Sequence, residues 1–65
     1  MSDFTVQNMT CGHCVRAVTQ AIQGADPAAQ VRVDLEAKRV QVLSKLSDDQ
    51  VIALIVEEGY PAQQV

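Results

Sequence analysis

The chain has 65 residues, 48% of them apolar, and a formal net charge of −3. That length leaves room for one domain, residues 1–65, burying only about 60% of what its unfolded chain exposes. The acidic balance excludes a general nucleic-acid binder, which needs a basic face to displace counterions. The opening, MSDFTVQN, lacks the basic and apolar regions of a secretory leader, and no run approaches the ~20 apolar residues that span a membrane. The expected location is therefore the cytoplasm, without direct membrane insertion, where thiols stay reduced.

Residues 3–8, DFTVQN, alternate, with Phe4 and Val6 on one side and Thr5 and Gln7 on the other. This is the pattern of a half-buried strand. Asn8-Met9-Thr10 matches a glycosylation sequon, which reads as chance without secretion. The period then changes. Val15, Val18 and Ile22 recur at helical spacing, with Ala17 and Ala21 widening the stripe. Gly24 and Pro27 follow, so the spacing predicts a helix over about 13–23.

Alternation returns in QVRVDL and RVQVL, joined by a short polar connection at LEAK, which predicts a hairpin. Opposite charges such as Arg32 with Glu36, or Asp34 with Arg39, would decorate its solvated face, where such pairs contribute little. LSDDQV then opens a second helix. Ser47 and Gln50 form a capping box, Asp48 and Asp49 suit the helix dipole, and Leu46 can staple onto Val51. Apolar positions continue through Leu54 and Ile55, with Ile52 and Val56 beside them. Gly59 and Pro61 stop the helix, and the tail YPAQQV can supply a last edge strand. The order β-α-β-β-α-β predicts an α+β, ferredoxin-like fold: a four-stranded antiparallel sheet with two helices on one face.

The chemistry is concentrated in NMTCGHCVRAV, residues 8–18. Cys11 and Cys14 flank Gly12 and His13 in the connection between the first strand and the first helix. Cys14 falls at the first helical turn, where unpaired backbone N–H groups and the dipole stabilise a thiolate. Arg16 follows one turn on. Gly12 is expected to let the loop take conformations that bring both sulfurs together. Structural zinc requires four ligands, and this chain offers one cysteine pair and one histidine, so two molecules would have to share the ion. A thioredoxin-like redox couple also uses C-x-x-C at a helix start, but with a longer βαβ lead-in. A Cys/His nucleophile lacks an orienting Asn or Asp and a cleft. What remains is a soft cation of low coordination number. Thiolates select Cu(I), zinc and similar ions, and Cu(I) accepts two sulfurs while leaving room for a third from outside.

Met9-Thr10-Cys11-Gly12-His13-Cys14, with the element order and the EEGYPA segment, resembles the heavy-metal-associated domain family over essentially the whole chain. Within that family it is most similar to the small stand-alone bacterial copper chaperones. The resemblance implies a carrier rather than an enzyme, with Cys11 and Cys14 as Cu(I) ligands and a copper-transporting P-type ATPase as the partner. It implies that Met9 packs under the loop without binding metal, with Thr10 and Gly12 as the remaining motif residues around the ligands. It implies too that Tyr60 lies close to the loop, where its hydroxyl could shield or tune the site. His13 could be a further ligand, a bridge in a copper-linked homodimer, or a pH-sensitive element. The plainer readings stand beside these: Met9 as core filler, Tyr60 as a half-buried aromatic, His13 as an exposed helix-start residue. Alternative functions are a zinc- or mercury-binding module of the same fold and a small thiol-disulfide redox protein.

Overall fold

The structure, a computed structural model, describes residues 2–9 and 12–65. The elements run β1 (Ser2–Val6), α1 (Gly12–Ala25), β2 (Gln30–Asp34), β3 (Arg39–Leu43), α2 (Asp48–Glu57) and β4 (Ala62–Gln64). The strands form one antiparallel sheet in the order β2-β3-β1-β4. This is the ferredoxin-like arrangement that the patterning predicts.

Alternation decides which side of the sheet is dry. Phe4 stands opposite Val40 in β3, and Val40 in turn opposite Val33 in β2. Phe4, Val6, Val40 and Val42 are buried, and Val31 and Val33 pack half-buried against them. Val18 and Ile22 of α1 and Val51 and Ile55 of α2 close the same core, so both helices cover one face. α1 packs over the β2 side and α2 over the β4 side. The other face is polar: Asp3, Gln41 and Arg32 form one row, and Asp34 stands opposite Arg39 in the next. Asp34 also has a local role, accepting the Ala37 N–H at 3.1 Å within the turn at residues 35–38.

Two boundaries differ from the sequence expectation. β1 ends at Val6 rather than at residue 8, because Asn8 takes a left-handed conformation, φ 66°, that no strand accommodates. α1 runs through Gly24 to Ala25 rather than stopping near residue 23. Its end is set by Pro27, which disfavours the α conformation at the preceding residue, Asp26. The expected capping box at Ser47 and Gln50 is present in both directions, at 3.2 and 2.9 Å.

Carboxylates fasten the end of the molecule where α2 begins. Asp26 is 8% exposed and accepts the N–H of Ala28 at 3.2 Å and of Lys45 at 2.9 Å, joining the connections before β2 and before α2. Asp48 accepts from the Ser2 hydroxyl at 2.7 Å and from the Gln64 amide, tying the start of β1 and the end of β4 to α2.

Candidate metal centre

β1 lies in the middle of the sheet, so the chain leaves the sheet at its centre after Val6. Two backbone bonds hold that exit. The Val6 N–H donates to the Lys38 carbonyl at 2.9 Å, and the Gln7 N–H donates to the Pro61 carbonyl at 2.8 Å. The base of the β1–α1 loop is thereby fixed to the hairpin turn on one side and to the segment before β4 on the other. Asn8 then reverses the chain in its left-handed conformation. Met9 follows and enters the core, only 3% exposed.

Cys14 is the third residue of α1 and is half-buried, packing against the core. It shares a helical stripe with Val18 and Ile22, at i, i+4 and i+8, which explains its inward placement. No acidic side chain occupies the first turn of α1. The N–H groups and dipole of that turn therefore favour a negatively charged sulfur there without competition from a carboxylate in the same turn. His13 and Arg16 are exposed. Cys11 and Thr10, both named above for this loop, lie outside the described residues.

The expectation that Gly12 lets both sulfurs come together involves Cys11, which lies outside the described residues. Gly12 opens α1 and is exposed, and a Cβ on it would meet nothing within 4 Å among the described residues. The left-handed residue near the loop is Asn8, a position whose tolerance for that conformation is written in its residue type.

Tyr60 reaches the same end by the helix stop at Gly59. With φ 94°, Gly59 allows its own N–H to bond the Val56 carbonyl at 2.9 Å and the Tyr60 N–H to bond the Ile55 carbonyl at 3.4 Å. These are the two bonds of a Schellman motif, and Tyr60 packs half-buried against the core that contains Ile55. Gln7 and Tyr60 line an open depression of about 480 Å³ together with Thr5, Val56 and Gln63. Among the described residues, its lining includes no carboxylate, histidine or lysine. Among the described residues, no three His, Cys, Asp or Glu side chains cluster as metal ligands, and no helix is long and apolar enough to cross a membrane.

The model of the heavy-metal-associated domain matches residues 3–61. The chain belongs to the heavy-metal-associated family. Among relatives of this domain, copper chaperone CopZ of Bacillus subtilis is 36% identical over 58 residues, covering 85% of this chain and 84% of CopZ. The copper chaperone for superoxide dismutase of Sus scrofa is 40% identical over 62 residues, which are 95% of this chain but 22% of that longer protein. Among solved structures, the copper chaperone Atx1 of Synechocystis PCC6803 superposes with a TM-score of 0.91 at 36% identity, covering 94% of this chain and 97% of Atx1. The heavy-metal-associated fold thus accounts for both helices and all four strands.

Proposed function

We propose that this chain is a cytoplasmic copper chaperone, binding Cu(I) between the Cys11 and Cys14 thiolates and passing it to a copper-transporting P-type ATPase. The observation that carries the reading is the placement of Cys14. A half-buried sulfur starts a helix with no acidic first turn, at the exit of the central strand, within a motif whose second sulfur is three residues earlier. The likeness to CopZ over most of both chains supports copper as the cargo. Copper suits two soft sulfurs and tolerates a low coordination number.

Transfer proceeds by ligand exchange. A thiolate of the partner forms a bond to the two-coordinate Cu(I), giving a three-coordinate bridge. One Cu–S bond to the donor then breaks, and the released thiolate takes up a proton; a second partner thiolate displaces the remaining donor sulfur in the same way, and that sulfur too is protonated. Copper stays Cu(I) throughout, so no electron moves and no substrate is transformed. The acidic chain favours a partner surface of complementary charge.

Anaerobic competition of the reduced protein with a Cu(I) chelator of known affinity tests this, with Zn(II) titrated in parallel. The expected result is one Cu(I) per monomer, bound far more tightly than Zn(II). Either Cys11→Ser or Cys14→Ser should abolish tight binding while the far-ultraviolet circular dichroism stays that of the parent. Tight binding retained by Cys14→Ser would remove the two-thiolate model. Weak Cu(I) binding by the parent would bring the zinc and redox alternatives forward.

A further inference from the structure

Asn8 sits where three constraints meet. The backbone just before it is held from both sides, by the Val6 bond to Lys38 and the Gln7 bond to Pro61. The residue just after it, Met9, is buried in the core. Asn8 itself is exposed and left-handed, φ 66°. A chain fixed at residue 7 and anchored at residue 9 has one residue in which to turn. That residue adopts the conformation that only glycine, and less readily asparagine or aspartate, visits without strain.

We infer that Asn8 is a positioning residue for the thiol pair: its left-handed backbone fixes how the chain passes from the end of β1 to the buried Met9, two residues before Cys11 in sequence. This inference rests on the carrier reading above for its metal, but its geometry stands apart from it. The role belongs to the backbone conformation, with the side chain serving by tolerating it. A β-branched residue at position 8 relaxes the loop of the unloaded protein toward other conformations. Binding through both sulfurs must then restore the left-handed turn, so the penalty appears in affinity as a smaller competent population.

The test compares Asn8→Val, Asn8→Gly and Val31→Ala, the last a half-buried β2 position that lowers stability away from the loop. Two readouts are taken on each reduced protein. The first is Cu(I) affinity by chelator competition, well below the melting temperature. The second is the equilibrium of the Cys11–Cys14 disulfide with glutathione. There, one disulfide bond forms within the protein as that of oxidised glutathione breaks, releasing two reduced glutathione molecules.

Asn8→Val is expected to weaken Cu(I) binding about tenfold, the size of a left-handed penalty for an ordinary L-residue. It should disfavour the internal disulfide by a similar factor. Asn8→Gly should match the parent within about threefold in both, since glycine keeps the turn. Val31→Ala should change neither. Parent-like values for Asn8→Val, or equal losses in Asn8→Gly and Asn8→Val, would overturn the inference. If the parent itself fails to bind Cu(I), the carrier reading falls, and the disulfide equilibrium alone decides the role of Asn8.

Discussion

The two helices begin at opposite ends of the molecule and begin differently. α2 opens with a complete capping box, two aspartates in its first turn, and a buried carboxylate, Asp26, holding the connection that leads into it. α1 opens with Gly12, His13 and Cys14 and no acidic side chain in its first turn. Both helix starts present the same backbone N–H groups and the same dipole. At α2 the Ser47 hydroxyl accepts the Gln50 N–H, the Gln50 side-chain oxygen accepts the Ser47 N–H, and two aspartates suit the dipole, and the result is stability. At α1 the first-turn position is filled by a thiol, a group whose negative charge can be shared with a soft cation. Around it the chain is shaped mainly by backbone turns at Asn8, Lys38 and Gly59 and by apolar anchors. On the proposed function, stability and binding are assigned to separate ends, so substitutions should separate them as well.

The strongest challenge to that separation is Asp26→Ala. It removes the acceptor of two backbone N–H groups in a nearly buried position. Losing two bonds to a charged acceptor in a partly buried setting should cost about 2–3 kcal/mol, against a total of roughly 3–10 kcal/mol for a chain of this size. Urea denaturation should show that loss, and the melting temperature should fall by about 10 °C or more. Cu(I) affinity of the folded variant at low temperature should stay within about twofold of the parent, because the proposed site lies at the other end. An affinity that fell in step with stability would show that the two ends are not independent.

Ser47→Ala sharpens the same point at the start of α2 itself. The hydroxyl accepts the Gln50 N–H at 3.2 Å, and its loss should cost about 1 kcal/mol in denaturant titrations. Copper binding should be unchanged. A variant that kept full stability would mean that Asp48 and Asp49 alone satisfy that helix end.

The two ends also differ in how far their sequence can be read. The start of α2 was legible because its capping box lies within four consecutive residues and its partners are local. The element order was legible because strand and helix periods alternate cleanly, and Gly59 was legible as a helix stop. Asp26 and Asp48 were not legible as fasteners. Their partners are Lys45, 19 residues away, and Ser2, 46 residues away, and no local pattern encodes such pairings. In the candidate site, Met9 is buried and Tyr60 half-buried, which fits their plainer readings as core filler and half-buried aromatic as well as the resemblance does. The inward stripe of Cys14, Val18 and Ile22 was obscured by Val15, an apolar neighbour that is itself only half-buried. Asn8 was read as the end of a strand, although asparagine is among the residues enriched in the left-handed conformation it takes.

The smallest expected effect addresses the acid-free start of α1 directly. His13 is the second residue of the helix and is exposed, so His13→Glu can be accommodated without repacking. A carboxylate in a first helical turn stabilises the helix by about 0.3–1 kcal/mol through the dipole, so the variant should melt slightly above the parent. The same charge works against a bis-thiolate site, because like charges nearby disfavour the ionised sulfurs. Cu(I) affinity should therefore fall a few-fold, about 0.5–1 kcal/mol, while stability rises. His13→Gln, which adds no charge, separates this from loss of the imidazole: it should leave affinity near the parent if His13 is not a ligand. The two measured quantities moving in opposite directions in His13→Glu would identify the helix start as a place where stability is withheld in favour of binding. If both rose together, the absence of acid from that turn would have no bearing on the thiols.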